Sequence, residues 1–161
     1  MSNLKIPKTI KMVISDFDGI MTDGSIYIDE NLNMSRKVNF KDIMAISILK
    51  KNGYELAFIS GEKNPVIDLL AEKFSLREIH QNIRIKIDTI KSIVQRHNLK
   101  KDEFLYIGDD INDLESLEFA EIKITVPNAV KKVKQIKNIQ ITDESGGNGA
   151  FREVVDCLLN S

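Results

Sequence analysis

The stretch MVISDFDGIMTDG, residues 12–24, decides how this chain is to be read. Met12, Val13 and Ile14 continue the apolar run begun at Ile10, interrupted only by Lys11. A short apolar run of this kind predicts a strand buried on both faces, the sort that fills a parallel sheet. Asp16 and Asp18 then stand one residue apart where that strand leaves the core. Carboxylates placed there lose hydration, and the cost stands unless a cation or hydrogen bonds answer them. The stretch therefore sets a question about charge as well as about fold.

Outward from it, the pattern recurs. YELAFIS (54–60) is a second apolar run and ends on Ser60; EFLYIGD (103–109) is a third and ends on Asp109. Weaker strand signals lie at EIHQN (78–82), EIKITV (121–126) and NIQIT (138–142). Helical spacing occupies the gaps. KDIMAISILKKNG (41–53) carries Ile43, Ile46 and Leu49 on one face, and Gly53 suits the position past a helix end. Asn64 and Pro65 predict an N-cap and first helical residue for a helix to about Phe74. A helix is expected from about Lys86, another in NDLESLEF, one from Asn128, and a last one in AFREVVDCLLN. SIYIDENLNMSRKVNF (25–40) holds two short strand-like runs around the polar turn Asp29–Asn33, which predicts a hairpin. Strands alternating with helices predict an α/β fold with a parallel central sheet. In such sheets ligands bind beyond the carboxyl ends of the strands, where Asp16, Ser60 and Asp109 all fall.

The length of 161 residues suits a single domain over 1–161. A hydrophobic content of 42% is enough for a core, which excludes a disordered tail. The formal net charge of -1 gives no footprint for nucleic acid, and KKVKQIK (131–137) reads as a solvated helix face. Cys157, the only cysteine, sits in the apolar pattern VVDCLL and reads as a buried thiol. No apolar run reaches membrane-spanning length, and MSNLKIPKTIK lacks a signal-peptide core. The expectation is a soluble cytoplasmic protein with neither nucleic acid nor membrane as partner.

A second acidic cluster, GDDINDLE, places Asp109, Asp110 and Asp113 behind the FLYI run. Joined to Asp16 and Asp18 it gathers carboxylates that call for a hard cation, and Mg2+ takes such oxygen ligands. Mg2+ among carboxylates commonly serves phosphate chemistry. One carboxylate attacks phosphorus, another handles the proton, and a hydroxyl and a lysine bind phosphoryl oxygens. Ser60 and Lys86 are the candidates for the last two.

DFDGIMTDG, Ser60-Gly61, Lys86 and GDDIND, in that order, resemble the four motifs of the haloacid dehalogenase superfamily phosphatases. The hairpin after TDG, the lack of an inserted cap domain, YIGDDIND and GGNGAFRE extend the resemblance to the small 3-deoxy-D-manno-octulosonate 8-phosphate (KDO 8-phosphate) phosphatase family. It implies a three-layer Rossmann-like fold with helices on both faces, and an enzyme, a Mg2+-dependent phosphoric monoester hydrolase. Its substrates are phosphorylated 2-keto-3-deoxy sugar acids, cleaved through an aspartyl-phosphate. By resemblance Asp16 is nucleophile and metal ligand. Asp18 is acid/base with its backbone carbonyl on the metal, and Asp109 is the further ligand. Asp110 stands behind the metal, Asp113 positions Lys86, Ser60 and Lys86 hold the phosphoryl group, and Gly19 and Gly61 let backbone approach it.

Where the family often reads TGR, this chain reads SGEK (60–63), followed by Lys73 in AEKF, and DIMA (42–45) replaces DGxG. Glu62, Lys63 and Lys73 resemble the branch acting on nine-carbon acids such as 2-keto-3-deoxynononate (KDN) 9-phosphate. That branch is slightly favoured over KDO 8-phosphate and lipopolysaccharide synthesis. The resemblance also implies a homotetramer joined by the hairpin, with a flexible tail over about 143–161 bringing Arg152 towards a neighbour's site. The more distant alternative is a non-catalytic partner of a sialic-acid cytidylyltransferase.

Overall fold

The computed structural model describes residues 3–161. A parallel sheet forms the centre. Its strands are β1 (Met12–Ser15), β4 (Glu55–Ile59), β5 (Glu78–His80), β6 (Phe104–Ile107), β7 (Ile122–Thr125) and β8 (Gln140–Ile141), in the order β5-β4-β1-β6-β7-β8. β1 is central: Val13 aligns with Leu56 on one side and Leu105 on the other. All residues of β1 and β6 are buried, which is why their sequences are continuous apolar runs. β2 (Tyr27–Ile28) and β3 (Met34–Ser35) make the separate hairpin.

The helices are α1 (Phe40–Lys51), α2 (Pro65–Phe74), α3 (Ile87–Arg96), α4 (Leu114–Phe119), α5 (Lys131–Lys134) and α6 (Ala150–Leu159). They form two groups around the sheet: α1 packs on α6 and α2, and α3 packs on α4, which covers β6 and β7. Asn64 caps α2, its side chain accepting the Val66 N–H, with Pro65 in the first turn, as the sequence predicts. Phe58 stands between Phe17, an edge-to-face neighbour at 5.3 Å, and Phe151, at 6.0 Å, tying β4 to the loop after β1 and to α6.

Several expectations need correction. The helix expected from Asn128 is only the single turn of α5. The Asn128 side chain accepts the Gly146 N–H instead of opening a helix. The tail over 143–161, expected to be flexible, is a packed element. α6 buries Phe151, Val154, Val155 and Leu158. It has no cap of its own; the fully buried Asp42 of α1 accepts the N–H groups of Gly149 at 3.1 Å and Arg152 at 2.9 Å. Cys157 is half-buried, because the last turns of α6 border a cleft open to solvent. No helix among the described residues is long and apolar enough to cross a membrane.

Candidate active site

β1, β4 and β6 lie side by side, so their carboxyl ends deliver Asp16, Ser60 and Asp109 to one edge. Asp16 is anchored by its own N–H, which donates to the Ile107 carbonyl at 2.8 Å. Lys86 enters from the start of α3 with its side chain fully withdrawn from water. Its Nζ donates to Asp16 Oδ1 at 2.6 Å and to Asp113 Oδ1 at 2.8 Å. Asp113 is engaged on every side. Tyr106 donates its O–H to Oδ1 at 2.6 Å, and the N–H groups of Asp109 and Asp110 donate to Oδ2 at 3.0 and 3.2 Å. Asp113 is therefore a fixed counter-charge that aims Lys86.

Asp109 differs. Its Oδ1 is buried and has no hydrogen-bond partner among the described residues. Oxygens of Asp16, Asp109 and Asp113 lie within 4.8 Å of one another. Since Asp113 is saturated, the second oxygen of Asp16 and the orphaned oxygen of Asp109 are the ones left for a cation. Hard carboxylate oxygens converging on one point fit Mg2+. Burial, then the neighbouring Asp113, pushes Asp109 up to about 7. Burial and Asp113 likewise hold Asp16 well above the usual carboxylate range, against the pull of Lys86. Burial works to lower Lys86, but Asp16 and Asp113 outweigh it and keep the ammonium charged. The site is thus an electrostatic arrangement short of positive charge.

Gly19 shows how tight the arrangement is. Its φ is +88°, and a Cβ there would run into the Asp109 carboxylate. Gly146 and Gly147 dock from the far end of the chain. A Cβ on either would strike backbone of residues 19–23, and the Gly147 N–H donates to the Ile20 carbonyl at 2.8 Å. Thr22 knits the same loop, accepting the N–H groups of Gly19 and Gly24.

Asp18 lies beside the cluster, with a third of its side chain exposed; its Oδ1 takes Arg36 Nε at 3.2 Å and the Thr22 hydroxyl at 3.4 Å. Burial, opposed by Arg36, raises Asp18 above the ordinary carboxylate value. Ser60 is buried, and its hydroxyl is turned into its own loop: it donates to the Glu62 carbonyl at 2.8 Å and accepts the Glu62 N–H. Gly61 faces Asn112, with ordinary van der Waals room for a Cβ at 3.5 Å. Asp110 caps the turn Ile111–Asp113 and is exposed. Glu62 is exposed and paired with Arg36 at 3.0 Å, and Lys63 is exposed next to it. Lys73 lies on the outer face of α2, its Nζ 5.5 Å from the Phe74 ring centre. Arg152 pairs with Asp156 at 2.7 Å and borders a cleft of about 1190 Å³ that shares no lining residue with the aspartate cluster. Within one chain, then, neither Lys73 nor Arg152 joins the site. Sequence reasoning missed Tyr106, Thr22 and Arg36. Tyr106 is hidden in an apolar run, and Arg36 in a hairpin that reads as surface.

A parallel sheet carrying a buried lysine and convergent aspartates at its carboxyl edge is a setting for metal-assisted phosphate chemistry. The chain belongs to the haloacid dehalogenase-like hydrolase family, whose profile matches residues 62–153, more than half its length. Among curated proteins it is 28% identical over 159 residues to the 3-deoxy-D-manno-octulosonate 8-phosphate phosphatase KdsC of Haemophilus influenzae, covering 96% of this chain and 85% of that protein. The 3-deoxy-D-manno-octulosonate 8-phosphate phosphatase of Moraxella catarrhalis, solved with magnesium, phosphate and a KDO molecule, superposes with a TM-score of 0.88 at 30% identity, over 95% of this chain and 87% of that one. The cobalt-bound form of the Haemophilus influenzae phosphatase gives a TM-score of 0.86 at 26% identity, over 95% and 89% of the two chains.

Proposed function

We propose that this chain is a divalent-metal-dependent phosphatase for the phosphate monoester of a 2-keto-3-deoxy sugar acid, with Asp16 as nucleophile. The observation that carries this reading is the buried Lys86 fixed between Asp16 and Asp113 beside the orphaned oxygen of Asp109. Nothing about folding requires that arrangement, and a phosphoryl group with its metal satisfies it.

A carboxylate oxygen of Asp16 attacks phosphorus. A P–O bond to Asp16 forms while the bond to the sugar oxygen breaks, and Asp18, whose carboxyl burial raises above its ordinary value, donates a proton to that leaving oxygen. Asp18, now a base, takes a proton from a water molecule whose oxygen attacks the aspartyl-phosphate and releases Asp16 and inorganic phosphate. Lys86 holds a phosphoryl oxygen and the Asp16 carboxylate at once, and Asp113 with Tyr106 keeps it aimed. Ser60 gives up its bond to the Glu62 carbonyl to donate to the phosphoryl group, beside the Gly61 N–H. Asp16, Asp109 and the Asp18 carbonyl would hold Mg2+, which would supply positive charge against the transferring group.

The relatives described above are named for the eight-carbon acid, which makes KDO 8-phosphate the first substrate to test. They give the expected nine-carbon preference no support. That preference rests on SGEK and Lys73, and of these only Glu62 has a charged group of the site's surroundings, Arg36, in contact. The exposed apolar residues Ile26, Tyr27, Ile28 and Met34 of the hairpin favour a contact between subunits, which the proposed homotetramer would use; residence in the cytoplasm belongs to the same proposal. The test is phosphate release in parallel from KDO 8-phosphate, KDN 9-phosphate and N-acetylneuraminate 9-phosphate, with Mg2+ and with chelator. Metal-dependent release that Asp16→Asn abolishes, with unchanged circular dichroism, is expected. Release from none of the three, or an active Asp16→Asn variant, overturns the reading and favours a non-catalytic partner.

A further inference from the structure

Arg36 follows β3 on the hairpin limb that returns to α1. The strand residues of that hairpin are exposed, yet the Arg36 side chain is only 13% exposed. Its guanidinium spans two loops that leave different strands. Nε lies 3.2 Å from Asp18 Oδ1, in the loop after β1, and Nη2 lies 3.0 Å from Glu62 Oε2, in the loop after β4. The pairing of β1 with β4 already fixes the strands beneath, so the bridge adds order only to the loops beyond them. Arginine is suited to this, because its rigid planar fork places two donors at fixed separation and its charge never titrates away.

We infer that Arg36 is a positioning residue that sets Asp18 for proton transfer and, through Glu62, shapes the part of the site that receives the sugar. The inference rests on the phosphatase reading above. With Oδ1 of Asp18 occupied by Arg36 and Thr22, Oδ2 is the oxygen left to face the leaving group. With Oε2 of Glu62 held, Oε1 is the acceptor offered to a sugar hydroxyl. Glu62 thus acts on substrate only while Arg36 holds it, and one cation joins the proton-transfer group to the loop that meets the sugar.

The two bonds of the fork predict separable effects. Arg36→Met lowers kcat about ten- to a hundredfold on both a sugar-acid phosphate and p-nitrophenyl phosphate, because Asp18 loses its orientation. It raises KM only for the sugar-acid phosphate. Arg36→Lys, a point charge that keeps one ion pair, restores most of kcat but not KM. Adding Glu62→Gln to Arg36→Met raises KM no further. Lys37→Met is the control for loss of a neighbouring hairpin cation, since Lys37 pairs with Asp23 and Asn148, outside the catalytic group, and should leave kcat unchanged. Independently of activity, hydrogen exchange across residues 60–64 should quicken about tenfold in Arg36→Met and not in Lys37→Met. If kcat and exchange in Arg36→Met both match wild type, or if the KM effects of Arg36→Met and Glu62→Gln simply add, the inference is overturned. A wild-type protein inert on every ester would refute the phosphatase reading, and the exchange data would still decide whether Arg36 holds the loops.

Discussion

Replacing Lys86 by methionine removes the one cation that, among the described residues, pairs with Asp16 and Asp113, while keeping nearly the same volume. The Nζ it deletes sits 2.6 Å from one carboxylate and 2.8 Å from another, with both its own side chain and that of Asp113 fully buried. Taking one partner from a buried ion pair costs about 3–5 kcal/mol, because the remaining charge is left without compensation. For a chain of this length each kcal/mol moves the melting temperature by about 2–4 °C, so a loss of about 10 °C is expected in chelator at pH 8. The sign of the pH dependence follows. Without the lysine, burial and mutual repulsion hold Asp16 and Asp109 further above their unfolded values, so the folded state binds more protons than the unfolded state. Stability then falls as pH rises, and the deficit against wild type should shrink between pH 8 and pH 5. Mg2+ at pH 8 should recover part of it, the metal replacing the missing charge. Thermal unfolding followed by circular dichroism at the two pH values, with chelator and with Mg2+, measures all three. A variant that melts within 2 °C of wild type in chelator at pH 8, by our criterion, or one whose deficit grows on acidification, would refute the electrostatic account.

Gly19→Ala forces a methyl group into the Asp109 carboxylate at a φ of +88°; a stability loss of about 1–3 kcal/mol in urea denaturation is expected, with weakened metal binding by calorimetry. Because Asp109 titrates near 7, protons compete with the metal below that value, and Mg2+ affinity should fall up to about tenfold per pH unit as pH drops from 7 to 5; a flat profile would show that Asp109 is not a ligand. Glu78, where two bonds from Arg96 join bonds to His80 and His97 and outweigh burial, is lowered from 4.5 to about 2. Its contribution is present above pH 4.5 and is lost as pH falls towards 2. The shift corresponds to about 3 kcal/mol, which screening through the half-exposed Arg96 cuts to about 1–2 kcal/mol. Glu78→Gln should therefore lose that much stability at pH 7 and converge on wild type in acid.

The sheet was legible because its central strands are buried on both faces and so must be written as unbroken apolar runs. Asn64-Pro65 announced α2 through local hydrogen bonding alone. Lys86 was found as the start of α3 by spacing, and the fold brings it between Asp16 and Asp113. What local pattern could not show depends on distant chain. Asn128 has the side chain of a helix cap, yet a glycine eighteen residues on takes its bond. Asp42 reads as an ordinary first-turn acid of α1 and serves as the cap of α6. Arg36 looks like hairpin surface until the loops after β1 and β4 are placed beside it. Residues whose partners lie in another element carry no periodic signal, and several that organise this site are of that kind.

The docking of Gly146 and Gly147 onto the loop after β1 has a consequence for how the protein is made. Synthesis runs from N to C terminus, so the Asp16 segment is made well before the backbone of Gly146 and Gly147 that braces it. During synthesis the sheet can begin to assemble while the Asp16 loop still lacks that brace. A nascent chain stalled or cut before residue 146 would carry every catalytic group proposed above and still lack the brace on its Asp16 loop.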